Sequence, residues 1–503
     1  MTQRDDRFAS RLGLLLSMLG IAVGTGNIWR FPRIVAQNSG DGGSGAFLIV
    51  WLCFLFAWSI PLIVAEYAMG KAGRLGVVGT FAHIAGRRLG WLGGFVGVVA
   101  TAIMFYYSVV TGWCFYYFFL SILRPLPDTT AGATAMWESF HVSGAPVLFH
   151  ALAMGLGAAV IWRGVRSIER MSKVLLPTLF AIVIVAVIRA VTLDGAGSGI
   201  RFLFTPDWRT LGDPSTWLEA LTQNAWDTGA GWGLILTYGA YMQRSHGIVK
   251  NAFITGIGNN TVSLLAAIMV CSTVFAILGA EMSRAEVLAV MRDSGPASTG
   301  LTFIWMPQLF ARMPLGSIVG SLFFLGLSFA AFTSLVSMIE MAARVVVDIG
   351  VPRERAVVMV SVAGFILGLP SAFNLDFLGN QDFVWGVGLM ISGAFVAAAI
   401  LIYGVPRFRS VAVEGSPGDW RAGRIWDLLI GLLVPLEAAI LLAWWMYLSA
   451  AEYAPESWYD PFEPYSVMTC LAQWGLALVL LLLLNRWLVV RTLAPRGWID
   501  PGS

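Results

Sequence analysis

The segment "RLGLLLSMLGIAVGTGNIWRFP", residues 11–32, begins as an apolar stretch but holds three glycines and an asparagine near its middle, followed by an arginine. Lipid cannot satisfy the N–H and C=O groups of an unwound helix, so a plain membrane span has no use for such residues. They are expected where the backbone leaves the helix and binds something. Residues 20–27 therefore predict a functional break inside a membrane helix.

The composition of the whole chain supports a membrane protein. Its 503 residues are 57% hydrophobic and only 12% charged, and its mean hydropathy is +0.75. Soluble proteins carry about 25% charged residues. The apolar stretches do not alternate, which excludes a β-barrel, and the chain has no basic cluster suited to nucleic acid. The cysteines lie in or beside apolar stretches without metal-ligand spacing, and we interpret them as small buried residues: Cys53, Cys114, Cys271 and Cys470.

Hydropathy predicts twelve membrane spans, so both termini lie on one side. The predicted spans are 12–37, 45–70, 90–123, 146–162, 174–193, 216–242, 251–279, 316–347, 356–373, 383–404, 425–449 and 466–490. Lysine and arginine are concentrated in the N-terminal segment 1–11 and in the loops after spans two, four and ten. By the positive-inside rule, the N-terminal segment and the tail 491–503 are cytoplasmic and the protein lies in the plasma (inner) membrane. We interpret segment 1–11 as a leader that is not cleaved.

A second break is predicted in span six, at "DTGAGWG", residues 227–233. It lies five spans after the first, at the corresponding position of a second half. Paired breaks indicate a secondary transporter built from two inverted repeats, here 12–193 and 216–404, with 425–490 outside them. Alternatively, Gly20, Gly24 and Gly26 only let helices pack closely. The matched second break, which contains Asp227, favours a binding site.

The chemistry of two such breaks suits a cation and a small anionic or zwitterionic solute. Carbonyls freed from a helix can coordinate Na⁺, and freed amides at a helix start can bind a carboxylate. Glycine permits the backbone angles and the close approach that this binding requires.

Several segments resemble the neurotransmitter:sodium symporter family, and in particular its bacterial amino-acid members. They are the opening stretch, "GGSGAFLIVW", "IPLIVAEYAMG", "ALTQNAWDTGAGWGLILTYGAY" and "SFAAFTSLVSMIE", within residues 4 to beyond 400. The resemblance implies an all-α membrane protein with twelve transmembrane helices, a 5+5 inverted repeat (the LeuT-like fold) and discontinuous helices 1 and 6. It also implies two Na⁺ sites and a symport mechanism with alternating access.

The resemblance assigns ligands to both Na⁺ sites. The second site would use carbonyls and hydroxyls of Gly20, Val23, Ala330, Thr333 and Ser334. The first would use the Ala22 carbonyl, the side chains of Asn27 and Asn259, and the substrate carboxylate. Where the family has a threonine or serine at this site, the chain has Asp227.

Asp227 is the most informative departure from the family. Some members balance two Na⁺ with chloride, and others carry a glutamate where this chain has the neutral Ser263. We therefore interpret Asp227, in a cluster with Gln223 and Ser263, as a fixed counter-charge that makes transport chloride-independent. Two alternatives stay open. Asp227 could cap the half-helix, or it could bind a substrate ammonium, although Gly24 stands where amine transporters carry an aspartate.

The resemblance also assigns a substrate pocket and two gates. The pocket residues would be Thr25, Gly26, Ile103, Tyr107, Trp226, Gly229, Trp232, Ser334 and Met338, and the bulk of Trp232 and Met338 favours a small neutral amino acid. The outer gate would pair Arg30 with Asp382, under the Trp226 lid. The inner gate would pair Arg4 with Asp348 beside Tyr241. Glu66 would support the unwound backbone.

Two other classes of function fit the sequence less well. A channel would need polar rings from several subunits, and a membrane enzyme would need a metal or nucleophile arrangement that the spans lack. The expected partners are the amino-acid substrate, sodium ions and the lipid bilayer, with no nucleic acid, and a homodimer remains open.

Overall fold

The computed structural model describes residues 7–292, 300–416 and 418–494, and this part of the chain is helical without a β-strand. Within it, nine helices are long and apolar enough to cross a membrane. They are Gly45–Gly73, Arg87–Leu123, Val165–Val191, Val249–Leu278, Gly316–Asp348, Arg353–Phe373, Leu375–Tyr403, Gly423–Tyr453 and Val467–Leu493. A tenth crossing is formed by Ala145–Ile161, which follows Thr130–His141 across a 70° bend.

The two remaining predicted spans are broken helices. The first consists of Arg11–Ala22, Thr25–Ile28 and Arg30–Gln37. The sixth consists of Pro214–Asp227 and Leu234–Gly239. Neither is continuous for 18 residues, and together with the ten crossings they are consistent with the twelve predicted spans. The prediction of discontinuous helices 1 and 6 is confirmed.

Short helices connect the spans or lie at their ends. They are Val77–Ile84, Ala196–Phe204, Arg284–Arg292, Met306–Ala311 and Val405–Phe408, with 3₁₀ turns at Arg87–Leu89 and Trp208–Gly212. The long span at Gly45–Gly73 contains one π-helical turn, Leu55–Ser59, and Gly423–Tyr453 contains two, Leu429–Leu433 and Ser449–Tyr453.

Span five begins at Val165, nine residues before the predicted start at 174. The additional turns are polar, so hydropathy does not detect them, but Lys173 and Glu169 form an i,i+4 ion pair of 2.6 Å that supports them. Glu169 also accepts hydrogen bonds from the backbone N–H of Ala9 at 2.6 Å and from Ser10 Oγ at 2.8 Å. The polar start of span five therefore holds the start of span one. Span ten likewise begins early, at Leu375 rather than 383.

The second break depends on glycine. Gly229, Gly231 and Gly233 have φ angles of +69°, +85° and +76°, a region that side-chain-bearing residues enter only with strain. A Cβ on Gly231 would lie 2.9 Å from the Cα of Gly393 in span ten. Backbone angles and close packing both fix this stretch, so the sixth span cannot continue as a helix through it.

Candidate functional site

The first break opens at Gly24. Arg11–Ala22 ends at Val23, and Gly24 is extended at φ −115° and ψ −167° before the helix resumes at Thr25. A Cβ on Gly24 would lie 3.1 Å from Ser334 Oγ and 3.2 Å from Tyr107 Oη. Glycine is therefore favoured here by the close approach of two neighbouring spans, and not by a positive φ.

The amide of Thr25 and the hydroxyl of Tyr107 meet at this opening. Tyr107 Oη accepts hydrogen bonds from the Thr25 backbone N–H at 3.2 Å and from Thr25 Oγ1 at 3.3 Å. Thr25 is buried and Tyr107 is partly buried, and both line a cavity of about 560 Å³. A backbone amide at a helix start and an adjacent hydroxyl are groups that can bind a carboxylate.

Span eight brings two hydroxyls to the carbonyls of span one. Ser334 Oγ donates to the Gly20 and Ile21 carbonyls, each at 3.3 Å. Thr333 Oγ1 bonds to Phe329 and Ala330 of its own helix, at 3.0 and 3.1 Å. Gly20 packs on Thr333, since a Cβ there would be 3.2 Å from the Thr333 Cβ. Four of the five residues expected for the second Na⁺ site thus lie together, and the fifth, Val23, ends the helix.

The residues expected for the first Na⁺ site also cluster. Asn27 Nδ2 donates to Asn259 Oδ1 at 2.8 Å and to Ser263 Oγ at 2.7 Å, while Asn27 Oδ1 accepts from the Gly24 N–H at 2.8 Å. One terminal atom of the Asn259 amide lies 2.9 Å from the Ala22 carbonyl and 3.2 Å from the Asp227 carbonyl. The cluster therefore gathers two backbone carbonyls and two side-chain amides, which are ligands that suit a hard cation.

Asp227 is the last residue of the half-helix Pro214–Asp227 and is 6% exposed. Gln223 Nε2 donates a hydrogen bond to Asp227 Oδ2, and the Ser263 hydroxyl is a second neighbour of the carboxylate. Asp227 Oδ1 occupies the space that a Cβ on Gly26 would need. The carboxylate thus lies beside Gly26 and Ser263, next to residues of the expected first Na⁺ site.

The other expected pocket residues line the same cavity, with one exception. Trp226 and Trp232 face each other at a centroid separation of 6.3 Å, and Trp232 Nε1 donates across the break to the Ala225 carbonyl at 3.1 Å. Gly229 and Met338 also line the cavity. Ile103 is fully buried and is not among the cavity residues. On the same helix, Tyr106, Tyr107 and Val110 line the cavity.

On the side away from the N-terminus, the cavity continues past the expected outer gate. The Arg30 guanidinium stacks on the Trp226 indole at 4.9 Å, and Arg30 Nε has no hydrogen-bond partner among the residues that the structure describes. Arg30 and Asp382 both line the cavity, as do Arg33 and Glu219. Past the expected outer gate, the cavity is therefore lined by two arginines, Arg30 and Arg33, and two acids, Asp382 and Glu219.

The N-terminal side of the site is closed by dense polar packing. Asp348 pairs with Arg344 at 2.9 Å and accepts from the Gly76 N–H at 2.6 Å. The Arg344 guanidinium lies 5.2 Å over the Tyr241 ring, and Phe8 N–H donates to the Tyr241 carbonyl at 3.1 Å. Arg4, the expected partner of Asp348, lies outside the described residues.

A second buried pair strengthens this closure. Arg353 binds Glu340 through two contacts of 2.5 and 3.1 Å, and Tyr241 Oη donates to Glu340 at 2.6 Å. Glu66 supports the other break from span two, because its carboxylate accepts the backbone N–H groups of Gly233 at 3.2 Å and Leu236 at 3.0 Å.

Several residues of the site were not predicted from the sequence. Glu219, Arg33 and Glu340 lie inside spans, and the rule that charged residues within membranes mark functional sites could have identified them. Asn260, which accepts from Asn259 Nδ2 at 3.1 Å, had no such signal, because its importance depends on which way a neighbouring amide points.

The chain matches a family model along almost its full length. The model is described as the sodium:neurotransmitter symporter family and matches residues 5–144 and 142–494. An uncharacterized sodium-dependent transporter of Bacillus subtilis, YhdH, is 28% identical over 464 residues, which are 87% of this chain and 97% of the relative. The sodium-dependent serotonin transporter of Drosophila melanogaster is 28% identical over 521 residues, covering 93% and 81% of the two chains.

A solved structure extends the likeness to the fold. The crystal structure of MhsT in complex with L-phenylalanine has a TM-score of 0.75 and 28% identity, and the match covers 87% of this chain and 99% of that chain. The predicted fold class, an all-α LeuT-like membrane protein, is thereby confirmed. The expected reliance on sodium agrees with the names of the relatives, and the expectation of a transporter rather than an enzyme is confirmed by the family. The chain belongs to the sodium:neurotransmitter symporter family and is a multi-pass, sodium-dependent membrane symporter.

Proposed function

We propose that the protein carries a small neutral amino acid across the membrane together with sodium, by alternating access. The observation that carries this proposal is the neutral cradle at the first break. Thr25 N–H and Tyr107 Oη meet there at 3.2 Å, and the close approach of Ser334 and Tyr107 favours glycine at position 24, which carries no charge of its own. A substrate bound here supplies its own carboxylate, as an amino acid does.

Two sodium sites flank this cradle in the proposed mechanism. The second site uses Gly20, Val23, Ala330, Thr333 and Ser334. The first site uses the Ala22 carbonyl, Asn27, Asn259 and the Asp227 carbonyl, and is completed by the substrate carboxylate. Because that carboxylate is shared between the cradle and the first ion, substrate and sodium would stabilise each other's binding, which is the basis of coupling.

Asp227 serves as the fixed counter-charge. Two sodium ions and one substrate carboxylate leave an excess positive charge in a low-dielectric site, which is costly without compensation. The Asp227 carboxylate is buried beside Ser263 and bonded to Gln223, both neutral, and the positive charge of Arg30 also acts on it. In the proposed mechanism its negative charge balances the excess positive charge of the bound ions. Transport would then not need chloride.

The size of the pocket favours a small side chain. Trp226, Trp232 and Met338 line the same cavity as the cradle, and a Cβ on Gly229 would lie 3.1 Å from Ile21 Cγ2. We take the bulk of the two indoles and the methionine to favour glycine or alanine over a substrate with an aromatic ring.

The gates describe one state of the transport cycle. We assign the closed side, with Arg344, Asp348 and Tyr241, to the cytoplasm, because both termini lie there by the positive-inside rule. The cavity past Arg30 then faces outward across the plasma membrane. In this scheme 12–193 and 216–404 are the two inverted repeats, and the partly exposed spans at 425–490 are available for contacts with lipid or a second copy.

Thermal stability of the purified protein tests ligand and ion together. We would measure the melting temperature against a panel of amino acids and amines in sodium chloride, sodium gluconate and potassium chloride. A ligand of the folded state raises it by mass action. The expected result is a shift by one small amino acid in both sodium salts and none in potassium. A preference for L-phenylalanine over alanine would refute the proposed size.

Tyr107→Phe tests the cradle itself. A hydrogen bond to a charged group contributes about 2 kcal/mol, so the variant should bind the amino acid about 30-fold more weakly. Tyr116→Phe, nine residues along the same helix, is the matched control and should bind normally. Unchanged binding by Tyr107→Phe would contradict a carboxylate at this position.

A second candidate function is sodium-coupled transport of an amine or another zwitterion. It is favoured by one observation, namely that the Asp227 carboxylate lines the cavity next to Gly26. In that case Asp227 would bind the substrate ammonium. An amine that shifts the melting temperature, with Tyr107→Phe binding it normally, would identify this function.

A further inference from the structure

The Asn259 amide in span seven can point in two directions, and each direction brings like atoms into close contact. With its oxygen toward span one, it accepts from Asn27 Nδ2 at 2.8 Å. That oxygen then faces the carbonyl oxygens of Ala22 and Asp227, at 2.9 and 3.2 Å. Three oxygens at these separations repel one another unless a cation lies among them.

The reversed amide makes good contacts with the two carbonyls and an unfavourable contact with Asn27. Its nitrogen donates to the Ala22 and Asp227 carbonyls, but it then faces the Asn27 nitrogen at 2.8 Å. Asn27 cannot easily turn to relieve this, because its oxygen accepts from the Gly24 N–H and its nitrogen donates to Ser263. A cation favours the first orientation, and its absence favours the second.

The orientation of the Asn259 amide also determines the orientation of the Asn260 amide. With the Asn259 oxygen toward span one, Asn259 Nδ2 donates to Asn260 Oδ1 at 3.1 Å. In the reversed state the Asn259 oxygen faces the same Asn260 atom, so the Asn260 amide must turn as well and present its nitrogen. Asn260 is 5% exposed, and its Nδ2 has no hydrogen-bond partner among the described side chains and backbone. The two amides therefore turn together.

We infer that Asn260 is a positioning residue for the first sodium site: by accepting from Asn259 it holds the Asn259 oxygen toward the ion. This inference rests on the proposed sodium site and assigns a role to a residue that does not touch the ion. Asn260 contributes to sodium affinity only through Asn259, and it leaves the carboxylate cradle and the Ser334 site unaffected.

The test is a sodium titration of the full-length protein without substrate, with potassium replacing sodium at constant ionic strength. The readout is the sodium concentration at half of the thermal shift. Asn260→Leu keeps the volume and removes the acceptor, so half-saturation should rise about fivefold, as expected for one lost hydrogen bond. Asn260→Asp keeps the acceptor and should bind sodium at least as well as the unmodified protein.

The same two substitutions in an Asn259→Ala background separate positioning from a general effect. If Asn260 acts through Asn259, neither substitution should change half-saturation further in that background, whereas the added charge of the aspartate acting directly would persist there. Asn251→Leu is the matched control, since it removes a buried amide nine residues away on the same span. It should lower the melting temperature without changing the half-saturation.

The outcomes distinguish the inference from the function on which it rests. An unchanged half-saturation in Asn260→Leu, alongside a weakened Asn259→Ala, would overturn the role of Asn260 and leave the sodium site standing. An unchanged half-saturation in Asn259→Ala itself would overturn both. Equal effects of Asn260→Leu in the two backgrounds would also overturn the positioning role.

Discussion

Replacement of Asp227 by asparagine separates the three roles that this residue could have. The substitution keeps the shape of the side chain and removes one negative charge from a position that is 6% exposed. The two neutral groups beside it, Gln223 and Ser263, cannot replace that charge. Removing one partner from a buried charge set costs about 3 kcal/mol or more, which corresponds to a factor of about 100 in binding.

We therefore expect Asp227→Asn to lose sodium-driven uptake by about 100-fold in proteoliposomes with gluconate as the only anion. Chloride should restore part of the uptake, because Gln223 and the Ser263 hydroxyl remain as donors for a bound anion. The unmodified protein should transport equally in the two salts. Asp213→Asn is the matched control, because Asp213 caps the opposite, exposed end of the same half-helix.

The result that refutes this reasoning is full uptake by Asp227→Asn in gluconate, since asparagine keeps the shape of the side chain without its charge. Loss of uptake in both salts, with an amine as substrate, would instead assign Asp227 to the ammonium. Uptake by the unmodified protein that needs chloride would show that the fixed charge is insufficient.

Two further predictions concern the second sodium site and an outer loop. Ser334→Ala should raise the sodium half-saturation of uptake about tenfold, whereas Ser328→Ala, which loses only a bond to its own helix, should leave it unchanged; equal effects would contradict a role for Ser334 at the ion. The backbone N–H groups of Gly42 and Arg209 hold the pKa of Asp207 below its ordinary value. The stability that this carboxylate contributes should therefore be complete above that ordinary value, about 3.9, and be lost as the pH falls through the lower folded value. Melting temperatures of the unmodified protein and Asp207→Asn should converge on acidification, and a constant difference down to pH 2 would refute this.

The broken helices could be predicted because membrane burial leaves few explanations for their residues. Glycines and polar side chains in the middle of an apolar stretch are costly in lipid, so their presence at 20–27 and 227–233 indicated a site before any contact was known. The start of span five could not be predicted in this way. Its first turns are stabilised by the pair of Glu169 and Lys173, and hydropathy assigns charged turns to a loop.

The partners of the gates were less predictable than their positions. Asp348 was expected near Tyr241, and the contact that joins them runs through Arg344, a residue one turn earlier on the same helix. Sequence spacing allows that i,i+4 pair, but it does not tell a local pair from a long-range one. The orientation of the Asn259 amide was beyond sequence reasoning altogether, since it depends on donors and acceptors from three separate spans.

The position of Asp227 also bears on why sodium and substrate must bind together in the proposed mechanism. Its Oδ1 occupies the space beside Gly26, so a substrate carboxylate in the cradle would lie close to a second carboxylate. Two like charges in a desolvated site repel strongly. A cation bound among the Ala22 carbonyl, the Asp227 carbonyl and Asn259 would attract both carboxylates and so offset the repulsion between them. A fixed acid at this position would thus serve coupling in two ways: it would balance the charge of the loaded carrier, and it would repel the anionic end of the substrate until sodium has bound.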